Sequence, residues 1–218
     1  MIESNYGQKR HINLSESERI SLLTEKEIDR VIASRTVRFF IQEPVFTQTS
    51  VAEISRGFSI KASARLFDNP AIKAAVQKKY YISDDTAAFR KNENEYNRRY
   101  NPEEYVRIEI TLSAPDFESY VKSKFWNIYL TDGIGNYLEV EKIIDEGNIR
   151  ITKRKIRYLG YNSRISQQFV YFNTFNIYIK KKDFYGLNLL DKKREYISLV
   201  FSHNQDIKGK AYWYFKER

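Results

Sequence analysis

Catalytic chemistry has few side chains to draw on in this sequence. No cysteine occurs among the 218 residues, and there are only two histidines, His11 and His203. A thiolate nucleophile, a disulfide and a thiolate-ligated metal are therefore excluded. Two isolated imidazoles do not make the clustered ligand set of a zinc site. The run Ser202-His203-Asn204-Gln205-Asp206 holds the three residue types of a hydrolase triad. Triad partners converge from separate elements, however, and the sequence reads His203 as an exposed turn histidine. Acidic pairs recur at Asp84/Asp85, Glu103/Glu104, Glu139/Glu141 and Asp145/Glu146. A glycosidase holds two carboxylates about 5–10 Å apart across a sugar. Each of these pairs instead falls beside a turn, at a helix start or on a wet strand face, where solvated surface explains it. Gly133-Ile134-Gly135 lacks the Lys-Ser/Thr and following helix of a phosphate loop and reads as a hairpin turn. No catalytic residue, cofactor or metal is assigned.

The chemistry that rises above background is cationic. The net charge is +9, from 37 Lys and Arg against 28 Asp and Glu. Between Gly147 and Lys182 there is no acid, while Arg150, Lys153, Arg154, Lys155, Arg157, Arg164, Lys180, Lys181 and Lys182 supply nine cations, the whole excess. A local field of this kind favours anionic partners. Arg150, Thr152, Arg154 and Ile156 alternate with Ile151, Lys153, Lys155 and Arg157. On a strand this puts cations on both faces, so the segment is an edge or a projecting ribbon rather than a buried central strand. Tyr158, Tyr161, Phe169, Tyr171 and Phe172 follow closely. Two explanations compete. Lysines on an edge block strand addition, and alternating aromatics fill a core. Alternatively Arg150, Lys153, Arg154, Lys155, Arg157, Tyr158, Tyr161 and Arg164 form an anion-binding set. Its partner is an anionic glycan, a lipid headgroup or an envelope polymer, or else a single-stranded nucleic acid, whose bases stack on aromatics.

The elements that must position these residues change period near Asn101-Pro102. Residues 1–14 read as a polar tail and 15–101 as a mainly helical segment. Ser15 to Glu18 and Thr24 to Glu27 have capping-box spacing, and Ile28, Val31 and Ile32 form a helical stripe. Thr36 to Phe46 is β-branched and aromatic, a strand that Pro44 confines to an edge. Asp68-Asn69-Pro70 starts a helix with Ile72, Ala75, Val76 and Tyr80 on its buried face. Ser83-Asp84-Asp85 starts another, running to about Arg99, with Phe89, Tyr96 and Tyr100 as its sparse apolar face.

Residues 102–218 alternate with period 2. Val106, Ile108, Ile110 and Leu112 predict a strand with one wet face. Trp126, Ile128 and Leu130 predict the next, Asp132-Gly133 a turn, and Tyr137 to Ile144 the returning strand. Asp145 to Asn148 reads as a further turn leading into Ile149 to Leu159. Phe175, Ile177 and Ile179, then Ile197, Leu199 and Phe201, then Ala211, Trp213 and Phe215 complete the set. About seven short strands in roughly 115 residues argue for an antiparallel sandwich of immunoglobulin-like type. The expected fold is α+β, a helical N-terminal segment packed on this sandwich, with Trp126 and Trp213 in the core.

Strands in the order YVRIEITL, FWNIYLTDGIGNYLEVEKI, FNIYIKKKDF and EYISLVFSHNQDIKGKAYWYF make roughly residues 103–218 resemble the β-sandwich part of uncharacterised bacterial envelope lipoproteins, notably those of spirochaetes. The abundance of Lys, Ile, Asn and Tyr suits the AT-rich genome of such a bacterium. The resemblance implies a binding or structural component of the cell envelope without enzymatic activity, and transfers no functional residue. A lipid-attachment cysteine is missing from the pattern. Met1 to Leu14 has no apolar stretch resembling a signal peptide. Two expectations follow: a cytosolic protein, or the mature region of an exported one whose signal lies outside this sequence. The resemblance favours the second. No apolar run approaches the roughly 20 residues of a spanning helix.

Overall fold

A computed structural model describes residues 9–12, 23–42, 60–80, 86–133, 135–145, 147–157, 165–182, 186, 188–191 and 194–215. In chain order the elements are β1 (Lys9–Ile12), α1 (Glu25–Arg35), β2 (Thr36–Ile41), β3 (Ile60–Phe67), α2 (Asn69–Tyr80), α3 (Thr86–Tyr100) and β4 (Tyr105–Pro115). Two 3-10 turns follow at Glu118–Val121 and Ser123–Phe125. Then come β5 (Asn127–Asp132), β6 (Tyr137–Leu138), β7 (Lys142–Asp145), β8 (Arg150–Arg157), β9 (Ile165–Lys180), β10 (Tyr196–His203) and β11 (Asp206–Phe215). No described helix is long and apolar enough to cross a membrane.

The strands form two sheets, ordered β1-β11-β10-β5-β6 and β2-β3-β4-β9-β7, with β8 also paired to β9. All pairs are antiparallel except β1 with β11. Strand side chains alternate between faces, so Val106, Ile108, Ile110, Leu112 and Ala114 of β4 all point one way. They share one core with Ile128 and Leu130 of β5, Leu199 and Phe201 of β10 and Trp213 of β11. Both tryptophans are buried as expected, Trp126 at 5% and Trp213 at 0% exposure. The indole N–H of Trp126 donates to the Tyr120 carbonyl (2.9 Å), and that of Trp213 donates to the Arg35 carbonyl (3.0 Å).

The described α-helices all lie between residues 25 and 100, as the change of period implies. Thr24 and Glu27 close the expected capping box on α1. Asp68 caps α2 by accepting from the Ala71 N–H at 3.0 Å. The same carboxylate pairs with buried Arg35 at 3.1 Å and so ties the end of α1 to the start of α2. Tyr96 and Tyr100 dock α3 on the sheet through Arg107, whose guanidinium lies 3.6 Å from the Phe67 ring centroid and 4.3 Å from that of Tyr100. Arg107 is therefore buried, although its strand phase reads as wet. Burial also raises the Tyr96 phenol far above its ordinary pKa.

Several expectations need correction. The segment before Asn101 is not a separate helical layer packed on the sandwich: helix predominates among its described residues, but β2 and β3 belong to the second sheet and β3 pairs with β4 across the compositional break. Lys9–Ile12, inside the presumed tail, is a strand on β11. The returning strand after Asp132-Gly133 is two strands: β6 pairs with β5, and the chain then crosses to the other sheet, where β7 pairs with β9. The residues of the Ser15 capping box, Pro44 and the Ser83-Asp84-Asp85 helix start lie outside the described residues, as do the side chains of Tyr80 and Phe89.

Candidate anion-binding ribbon and groove

The ribbon exists because β9 is longer than its inner neighbour. β4 ends where Pro115 pairs with Val170, while β9 begins at Ile165. Residues 165–169 are therefore paired only with residues 153–157 of β8, and the two strands run on past the sheet. At the point of departure the Asp116 N–H donates to the Phe169 carbonyl at 2.8 Å, and the Gln168 amide donates to the Asp116 carboxylate at 2.8 Å.

Every residue from Arg150 to Lys155 is exposed. Arg150, Thr152 and Arg154 share the outer face with Phe172, Val170 and Gln168. Ile151, Lys153 and Lys155 share the core-side face with Tyr171, Phe169 and Gln167. The expected arrangement, an edge ribbon with cations on both faces, is what the pairing produces. Among the described residues no carboxylate pairs with Arg150, Lys153, Arg154 or Lys155. At the far end of the basic stretch, by contrast, Lys180 pairs with Glu141 at 2.5 Å, and Lys181 donates to the Pro102 carbonyl at 3.3 Å. Within the basic stretch, β8 therefore carries the densest run of exposed cations without a carboxylate partner among the described residues.

Apolar side chains accompany it. Phe169 is 41% exposed, Ile151 55% and Phe117 45%. The Lys153 ammonium lies 5.8 Å from the Phe169 ring centroid, within cation–π range. Tyr171 packs against the core, and Phe172 is half-buried. Tyr158, Tyr161 and Arg164 lie outside the described residues, and so does the Arg157 side chain.

A second feature lies where the ribbon joins the sheet. The expected turn at Asp145 to Asn148 does not reverse the chain. β7 and β8 run along the same edge of β9, and four positions separate Asp145 from Arg150 where only two separate their partners Phe175 and Phe172. The excess of two residues makes a bulge, and Gly147, at φ +70°, takes up left-handed backbone within it. Beside the bulge is a groove of about 600 Å³ lined by Thr111, Asn148, Arg150, Thr152, Phe172, Asn173 and Thr174. The Thr111 and Thr174 hydroxyls are 3.0 Å apart. Asp145 anchors the bulge from the core side, accepting from the Asn173 amide (3.1 Å), the Ser123 hydroxyl (3.1 Å) and the Gly147 N–H (3.1 Å). Desolvation works against its charge, but these hydrogen bonds outweigh it and hold the carboxyl below its ordinary pKa.

Arg150 is the one member of the expected anion-binding set that also lines the groove. Asn148, Thr111, Thr152 and Thr174 carry no sequence signal. A lone threonine on a wet face looks like any other, and the cross-strand pairing of Thr111 with Thr174 joins residues far apart in the chain.

The candidate triad does not assemble. The Ser202 hydroxyl donates to the Asn127 carbonyl (3.2 Å), while His203 Nδ1 lies 3.1 Å from the Phe125 carbonyl. His203 is not the exposed turn histidine expected. It ends β10, is half-buried, and its ring stacks on Phe125 at 4.5 Å. Asn204 and Gln205 form the turn instead, both at positive φ. Among the described residues no three His, Asp or Glu side chains cluster as metal ligands would. Searches with protein-family models, among curated proteins and among solved structures find nothing that matches this chain.

Proposed function

We propose that the chain is a non-enzymatic binding or structural protein of a bacterial cell envelope that engages an anionic partner through the β8–β9 ribbon. The observation that carries this reading is the row of exposed cations on a projecting edge, none of them paired with a carboxylate among the described residues. Like charges this close repel, and a bound anion relieves that repulsion. The envelope location rests on the resemblance of residues 103–218. Fractionation that finds the chain in the cytoplasm overturns that part of the proposal.

The finer fold reading, an immunoglobulin-like sandwich, has support from strand order. β3-β4-β9-β7 follows the A-B-E-D sheet of that fold, and β11-β10-β5-β6 follows G-F-C-C′. On that reading the ribbon is an extended D–E hairpin, and buried Trp126 stands at the head of strand C.

The test is binding to heparin, to vesicles containing phosphatidylglycerol and to oligothymidylate, at low and at physiological salt. Wild type is expected to bind at least one of them, more weakly as salt rises, because ion pairing releases counterions. Replacing Lys153, Arg154, Lys155 and Arg157 together by Gln is expected to abolish binding without unfolding the protein. Equal binding by the two proteins overturns the proposal. A second reading, single-stranded nucleic acid, is favoured by the exposed Phe169 ring beside Lys153. On that reading Phe169→Ala weakens oligothymidylate binding by roughly 1–3 kcal/mol and leaves heparin binding unchanged.

A further inference from the structure

We propose that the groove at the β7–β8 bulge binds one unit of an acidic saccharide. This rests on the anion-binding reading and names its ligand class. The groove is built by an irregularity, which separates it from an incidental hollow between strands. Bulges next to binding sites re-aim side chains, and here two extra residues, turned by Gly147 at φ +70°, bring Asn148 to the groove wall beside Arg150. The bulge is tied down by three hydrogen-bond donors on Asp145. The volume, about 600 Å³, lies within the range of sites that enclose small ligands, about 300–1,000 Å³.

The lining chemistry selects the ligand. Thr152 offers a hydroxyl that both gives and takes, the bonded Thr111–Thr174 pair keeps one O–H and spare lone pairs, and Asn148 offers an amide with both capacities. That set matches the hydroxyls of a sugar, which also give and take. Half-buried Phe172 offers a flat apolar face for the C–H side of a pyranose ring. The Arg150 guanidinium offers a paired fork for a carboxylate. A bare phosphate would leave Phe172 and the threonines unused. Thr152 and Arg154 continue from Arg150 along the same face. At about 3.3 Å per residue Arg154 lies about 13 Å farther on, where it meets the acid group of a later unit in a longer chain.

The test uses Asn148→Ala with Thr152→Val, both exposed positions whose replacement leaves every charge in place. Probes are tetragalacturonate, uncharged maltotetraose and inorganic polyphosphate, each titrated calorimetrically at low salt, with thermal unfolding as the check on folding. Wild type is expected to bind tetragalacturonate and to bind maltotetraose far more weakly. The double variant is expected to lose about tenfold or more in tetragalacturonate affinity, the effect of removing two hydrogen-bonding groups. Its polyphosphate affinity and melting temperature are expected to stay as in wild type. Tetragalacturonate binding left unchanged in the double variant overturns the groove, as does wild type that binds polyphosphate but not tetragalacturonate. In both outcomes the ribbon reading survives. Wild type that binds neither anion overturns both.

Discussion

Asp68 does two things with one carboxylate: it caps α2 and it neutralises Arg35, which is only 2% exposed. Removing one partner of a buried pair is far costlier than removing an exposed one. Asp68→Ala is therefore expected to destabilise the protein by about 3–5 kcal/mol in urea unfolding, whereas Asp29→Ala, which breaks the exposed pair with Lys78, is expected to cost about 1 kcal/mol or less. The cap was legible in Asp68-Asn69-Pro70. The partner was not, because Arg35 lies 33 residues earlier and nothing local marks it. Trp126 was fully legible, since it opens an alternating strand; Trp126→Ala is expected to cost about 3–5 kcal/mol. Asp145 makes the acid limb of the stability curve sensitive to one side chain. Its folded pKa lies below the ordinary carboxylate value. Its contribution is thus complete above the unfolded value of about 3.9 and is lost as pH falls through the lower, folded one. Asp145→Asn is expected to flatten the fall of Tm in that window. An unchanged acid limb shows that the carboxylate does not anchor the bulge.

Elements that announce themselves do so by period and caps, and those that fail to do so have a physical reason. β4, β10 and β11 alternate large apolar residues with polar ones and were read correctly. In β3 two of the inward positions are Ala62 and Ala64, whose small side chains barely raise the period-2 signal although both are buried. β7 and β8 were read as separated by a reversing turn, because Gly147-Asn148 signals a change of direction. Only the register with β9 reveals a bulge. The ribbon's edge position was legible from its cations, and its projection was not, since that depends on β4 ending before β9 does. Where the sheets meet, the Gln42 N–H donates to the Lys208 carbonyl at 2.8 Å. Gly209 sits at this corner because a Cβ there would lie 2.9 Å from Ile41 Cγ1 and 3.0 Å from the Phe40 carbonyl oxygen. Ile41 is fully buried and the carbonyl belongs to a paired strand, so neither moves aside easily. Gly209→Ala is expected to destabilise by about 1–3 kcal/mol, read as a lower urea midpoint with an unchanged slope.

At the scale of the molecule, one core cluster draws on β2 and β3 as well as on the strands after Asn101, so the first half of the chain supplies part of the wall that encloses Trp126 and Trp213. A single unfolding transition, coincident by far-ultraviolet circular dichroism and tryptophan fluorescence, is expected. Charge is distributed differently from packing. The excess of +9 equals the nine cations between Gly147 and Lys182, and the rest of the chain balances. The cations of β8 are exposed, where a polyanion can reach them. The central claim is that these cations make direct ion pairs with a ligand. The most direct measurement is the slope of log affinity for a single-stranded polyanion against log salt, for wild type and for Lys153→Gln/Arg154→Gln/Lys155→Gln. Each ion pair adds about 0.7 to the slope, so the variant's slope is expected to be shallower by about 2. Parallel slopes for the two proteins would contradict the claim.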